Sequence, residues 1–199
     1  MAIEAGASAI GLVARMPSGP GPISDKLIRQ IAKKVPPPIA TFMLTSERSV
    51  KAIIEHHHRT NTNTIQIVDS LSSGTYSEIK TALPYINIVQ VIHVIDERSV
   101  DEAIGISEMV DAILLDSGNP YLKVKELGGT GRVHNWKLSN RIRENSKCPV
   151  FLAGGLNPDN VKQAIDEVHP FAVDVCSGVR TEGKLDKQKV ELFIDRVLK

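Results

Sequence analysis

Cysteine is nearly absent from this sequence. Cys148 and Cys176 are the whole complement in 199 residues, too few for a disulfide framework and wrongly spaced for a zinc site. A cytoplasmic, reduced protein is the expectation. A surplus of one charge is also missing: 24 basic and 23 acidic residues are mixed throughout, for a formal net charge of +1. That balance gives no electrostatic support for a nucleic-acid or membrane partner. No apolar run is long enough to span a bilayer. The apolar stretch Met1–Ala14 is interrupted by Glu4 and has no basic segment before it, so it does not read as a signal peptide. Linkers and low-complexity tracts are lacking too; the proline patches Met16–Pro22 and Pro36–Pro38 are short loops. Residues 1–199 therefore read as one domain, and 42% hydrophobic content suffices for one sizeable core.

What the chain does have is alternation. β-rich runs at Ala9–Ala14, Ile39–Leu44, Thr64–Val68, Ile88–Ile95, Ala112–Leu115, Pro149–Ala153 and Ala172–Val175 take turns with helical spacing. Leu27, Ile28, Ile31 and Val35 mark the first helical face, Val50, Ile53 and Ile54 the second, and Val161, Ala164, Ile165 and Val168 a later one. Ser24, Ser46, Asp96 and Asn157 stand where N-caps belong, and Lys187–Leu198 closes the chain as a helix. Strict β–α alternation predicts a parallel sheet with helices outside, an α/β fold of the (β/α)₈ barrel type. Seven strands are one short of a closed barrel. Met1–Ala7 reads as a helix end with Gly6 as its stop, so the expectation is a barrel whose first strand is missing from this chain, with another chain or a second copy covering the open edge.

Three glycine-bearing turns carry the chemistry: Gly128-Gly129-Thr130-Gly131-Arg132, Ala153-Gly154-Gly155-Leu156-Asn157 and Cys176-Ser177-Gly178-Val179-Arg180. Each is expected where a strand hands over to a helix. Glycine lets backbone N–H groups close on an anion, and a helix start adds its positive dipole end. In barrels of this type, the phosphate site sits after the last two strands. The expected ligand is a phosphorylated small molecule held by Gly129, Gly131, Gly154, Gly155, Ser177 and Gly178. Gly155→Val is expected to harm binding more than folding.

These stretches, with Glu4-Ala5-Gly6-Ala7, Ala112-Ile113-Leu114-Leu115-Asp116-Ser117, Leu156-Asn157-Pro158-Asp159-Asn160-Val161 and Val173-Asp174-Val175, closely resemble the phosphoribosylanthranilate isomerase family. The resemblance covers essentially the whole chain and implies an Amadori rearrangement in tryptophan biosynthesis, without metal or organic cofactor. It implies that Asp116 is the general acid that opens the ribose ring and that Asp174 lies near the sugar. Asp116 ends an apolar strand and is followed by a loop, which agrees with a catalytic position. The family's base is a cysteine at the end of the first strand, and neither Cys148 nor Cys176 matches it. The family's arginine for the anthranilate carboxylate corresponds to Gly21, with Arg15 nearby, and Gln-Leu-His-Gly of the family becomes Gln66-Ile67-Val68-Asp69. Arg180 stands where glutamate is common. Two other readings share the phosphate cup: a different phosphosugar isomerase, epimerase or aldolase, and a non-catalytic phosphosugar-binding homologue.

The remaining polar residues have plainer expectations. His56-His57-His58 reads as a solvated helix surface, since consecutive histidines point in different directions. His93 reads as core or pocket lining, Asp96 as a cap, Cys176 as a small buried residue and Trp136 as packing.

Overall fold

A computed structural model describes residues 1–19 and 21–199. Pro20, in the stretch corresponding to the family's arginine, lies outside them. Strands β1 (Ala9–Val13), β2 (Ala40–Thr45), β3 (Thr64–Ile67), β4 (Asn87–His93), β5 (Ala112–Asp116), β6 (Val150–Leu152) and β7 (Ala172–Val173) pair in parallel and in chain order. They form one curled sheet in which β1 and β7 are not paired with each other. Helices α1 (Asp25–Ala32), α2 (Val50–Thr60), α3 (Tyr76–Ala82), α4 (Arg98–Ser107), α5 (Trp136–Asn145) and α6 (Val161–Val168) connect them. A short hairpin, β8 (Arg180–Thr181) and β9 (Lys184–Leu185), precedes α7 (Lys187–Leu198).

Side chains of successive strand residues point to opposite faces, and both faces are apolar. Ile65, Ile67, Ile88, Ile92, Ile113, Leu115 and Leu152 pack against the helices. Val89, Val91, Ala112, Leu114 and Ala153 fill the concave side with half-buried Phe42, Leu44 and Phe151. Burial grades across the sheet. Every residue of β3 and β5 is buried, whereas β1 keeps one buried residue and β7 none. Phe171, at the foot of β7, is 74% exposed and stacks on Phe151.

Met1–Ala7 forms a single helical turn, with Ala5 and Ala7 amides bonded back to Met1 and Ala2 carbonyls and Gly6 at φ +111°. Ser24 caps α1 through the Leu27 amide. The other three expected caps move. Ser49 rather than Ser46 caps α2, and Glu97 and Asn160 stand at the starts of α4 and α6 without side-chain bonds. Asp96 Oδ1 accepts the amide of Arg98, the first residue of α4, and Asn157 Oδ1 accepts the amides of Asp159 and Asn160 just before α6.

The histidine triplet departs most from expectation. Only His58 is exposed. His56 bridges Thr45 Oγ1 (2.9 Å) and Asp25 Oδ1 (3.1 Å), and His57 Nε2 donates to the Thr62 carbonyl at 2.8 Å. Asp25 of α1 and the Thr62 carbonyl beyond α2 take up two of the three rings, both buried, which local spacing along α2 cannot reveal.

Candidate active site

All chemistry-bearing residues gather where the strands end at their C-terminal edge. After β6, Gly154 (φ +80°) and Gly155 (φ +66°) turn the chain through the left-handed region that side chains disfavour. A side chain at Gly155 would start 2.6 Å from the Arg132 carbonyl oxygen, so this turn also locks against the β5–α5 loop. After β7, the chain makes only one 3₁₀ turn, Ser177–Val179, before the hairpin; the expected helix start is absent there. The third glycine turn likewise does not follow a strand. It lies late in the β5–α5 loop and folds back over the other two.

Together they make a tight recess of about 30 Å³ walled by Asp116, Gly129, Thr130, Gly131, Gly154, Gly155, Asp174, Cys176 and Ser177. The amides of Gly154, Gly155 and Ser177 have no acceptor among the described residues. Three such donors around a small concavity suit an oxyanion. Gly178, next to Ser177 of this wall, is also tightly packed. A Cβ there would sit 1.9 Å from the Leu156 carbonyl oxygen, so its missing side chain serves packing.

Asp116 is 8% exposed. Burial raises its carboxyl above the ordinary range, against the opposing pull of the Ser117 amide (2.7 Å), the field of His93 and the Ser117 hydroxyl. His93 is its register neighbour on β4 and donates Nε2–H to the Val68 carbonyl at 3.0 Å. Asp174 is open to water on one side and otherwise surrounded by protein. That crowding, and secondly the charge of Asp116, push its carboxyl up to about 6. The charge of Asp116 thus disfavours ionisation of its neighbour Asp174. Beneath Gly154 lies His134, neutral because burial depresses it to about 4, with Nε2 on Ser139 Oγ at 2.8 Å.

Beyond His93 the cleft widens into a cavity of about 320 Å³ lined by Arg48, Asp69, His93, Tyr121 and Lys125 among others. Asp69, 5% exposed, is ion-paired with Lys125 and lies 3.4 Å from Arg48 Nε. Only Asp69 of this group was singled out by sequence reasoning. Its partners come from separate loops, and no local pattern announces them. Cys148 packs against the core at the opposite end of β6, with its thiol pushed up by burial, while Cys176 stands in the recess wall. No group of three metal-ligating side chains occurs among the described residues. No helix among them is long and apolar enough to cross a membrane.

Residues 2–196 match the family described as N-(5'phosphoribosyl)anthranilate (PRA) isomerase. The N-(5'-phosphoribosyl)anthranilate isomerase of Methanosarcina acetivorans is 35% identical, over 96% of this chain and 84% of that relative. That of Methanothrix thermoacetophila is 35% identical, over 98% and 90%. Among solved structures, phosphoribosyl anthranilate isomerase from Thermotoga maritima superposes with a TM-score of 0.80 at 30% identity, covering 99% of this chain and 91% of that one. Another phosphoribosyl anthranilate isomerase, crystallised with reduced 1-(o-carboxyphenylamino)-1-deoxyribulose 5-phosphate, gives 0.77 at 28%, covering 99% and 90%.

Proposed function

Because this chain belongs to the N-(5'-phosphoribosyl)anthranilate isomerase family, we propose that Asp116 is its general acid and that the glycine recess holds the substrate's phosphate. The activity is an aldose–ketose isomerisation, the Amadori rearrangement of N-(5'-phosphoribosyl)anthranilate. The observation that carries the assignment is a buried carboxyl, raised above its ordinary range, in the wall of a recess with unused amide donors.

With the phosphate fixed, Asp116 gives its proton to the ribose ring oxygen. The C1′–O bond breaks as the anthranilate nitrogen lone pair forms a C1′=N bond. Removal of the C2′ proton then moves that C–H electron pair into the C1′–C2′ bond and returns the C1′=N pair to nitrogen. The resulting enol tautomerises to the aminoketone. Asp174, facing the same recess, is read as the sugar-binding carboxylate.

The seven strands take the second to eighth positions of an eight-stranded barrel. The free edges of β1 and β7 are where a strand carrying the family's cysteine base fits, supplied by additional chain or by another molecule. The sparse burial of β1 and β7 supports this reading.

The test is loss of substrate fluorescence with purified protein. Asp116→Asn is expected to lower kcat by about 10²–10⁴-fold, and unchanged turnover removes Asp116 from the acid role. Adding a strand that ends in Cys-Gly ahead of residue 1 is expected to raise turnover by a similar factor. Equal rates with and without it place the base elsewhere, with Asp69 and Asp174 next in line.

A further inference from the structure

Among the described residues, three imidazoles bury an Nδ1 atom that has no hydrogen-bond partner: His57, His93 and His134. Buried polar atoms are normally paired, so each of these needs a reason. His57 belongs to α2, and His93 abuts Gly118, where a Cβ would sit 2.5 Å from its Nδ1. His134 is the one whose bare nitrogen meets the candidate acid.

His134 ends the β5–α5 loop, just ahead of Asn135, the cap of α5. The backbone before it, at Arg132 and Val133, packs against Gly155, and its ring packs against Gly154. His134 Nδ1, the Ser117 amide nitrogen and Asp116 Oδ1 surround one point, the place where a Gly154 side chain would begin, at 2.8, 3.0 and 3.2 Å. Only glycine leaves that point open, and the φ of +80° there asks for glycine as well.

The far side of the ring fixes its tautomer. Nε2 lies 2.8 Å from Ser139 Oγ, and that fully buried hydroxyl donates its single proton to the Asn135 carbonyl at 3.4 Å. Nε2 therefore carries the ring proton and donates it to Ser139, which leaves Nδ1 a bare lone pair. The opposite tautomer would bury an N–H without an acceptor. Burial also keeps the ring neutral, depressing it to about 4. An imidazole in this state is a dipole whose negative end is Nδ1. Beside a carboxyl group, that end disfavours the ionised form and favours the protonated one. The other ionisable groups facing Asp116 are His93 from β4, which acts in the opposite sense, and Asp174 from β7.

Resting on the isomerase reading above, we propose that His134 is a positioning residue for the reaction: its bare Nδ1, set beside Asp116 across Gly154, keeps the acid protonated until the proton passes to the substrate.

The experiment is an NMR titration of the Asp116 carboxyl carbon in the full chain, with Asp116→Asn assigning the signal. His134→Gln keeps a donor for Ser139 and loses Nδ1. His134→Phe keeps the ring shape and loses both nitrogens, while His134→Asn puts an acceptor oxygen where Nδ1 stands. Gln and Phe are expected to move the Asp116 midpoint down by about 0.5–1 pH unit, and Asn to recover most of that shift. A general acid must be protonated to act, so the alkaline limb of kcat for N-(5'-phosphoribosyl)anthranilate moves down with the midpoint. Above it, kcat falls about 3- to 10-fold while KM holds. An unmoved midpoint in both Gln and Phe, or an upward shift, overturns the proposal. So does a wild-type midpoint in Gln beside a lowered one in Asn, since only the Ser139 bond would then matter. If the wild type does not turn over, the isomerase reading fails, and the NMR midpoints alone decide the role of His134.

Discussion

At the β6–β7 end of the cleft the donors are peptide N–H groups of Gly154, Gly155 and Ser177; at the β3–β4 end they are the side chains of Arg48 and Lys125 around Asp69. Backbone donors are fixed by φ and ψ, carry no formal charge, and lose no rotamer freedom when a ligand arrives. Long cationic side chains are adjustable, charged and entropically costly to hold. The first end therefore suits an invariant handle such as phosphate, and the second suits discrimination between ligands that differ in one charged group.

The largest expected effect that would sharpen this contrast is on stability. Gly178→Ala must displace the Leu156 carbonyl and is expected to cost about 3 kcal/mol or more, with phosphate protection lost alongside, as read by thermal melting with and without inorganic phosphate. Gly155→Val is expected to behave the same way. Its φ of +66° and its approach to Arg132 make the turn a packing joint as well as a wall of the recess, so folding is expected to suffer alongside binding. A folded Gly178→Ala protein still protected by phosphate would break the contrast at its root.

Next comes Asp174→Asn. The wild-type carboxyl is raised in the folded state, so the folded state disfavours its charged form. That penalty is absent below about pH 4 and grows as pH rises through about 6. Asp174→Asn is thus expected to melt higher than wild type at pH 7.5 and equally at pH 4, while turnover falls. A variant that melts lower at pH 7.5 would mean that the carboxylate is a structural partner.

The smallest effect is ionic. Raising salt to ~0.5 M shortens the screening length to a few ångströms, so KM for N-(5'-phosphoribosyl)anthranilate is expected to rise a few-fold while inorganic phosphate binding at the uncharged backbone donors shifts less. Parallel shifts would erase the distinction between the two ends.

The same difference in construction explains what the sequence disclosed. The seven strands were legible because each is a short apolar run bounded by helical spacing, and both sheet faces are apolar. The recess was legible because glycines in adjacent turns announce left-handed backbone. Gly178 shows what that inference leaves out: a neighbouring carbonyl excludes its Cβ, a packing demand that sequence cannot tell from a demand made by a ligand. His56 was misread because Asp25 of helix α1 pairs with it, and His57 because it turns onto the Thr62 carbonyl beyond α2; neither contact has a signature in α2 itself. The Arg48–Asp69–Lys125 cluster was invisible for a related reason, since three loops far apart in the chain must be assembled before its charges meet.

Sequential strand order has a consequence for the ribosome. Each strand pairs only with those immediately before and after it in the chain, so the sheet can lengthen as synthesis proceeds, without waiting for a distant partner. The glycine recess breaks this pattern, because its walls come from the β5–α5 loop and the ends of β6 and β7. A nascent chain acquires its sheet gradually and its ligand affinity abruptly, once the chain through Ser177 has emerged. Phosphate binding by stalled chains of increasing length would time that last step.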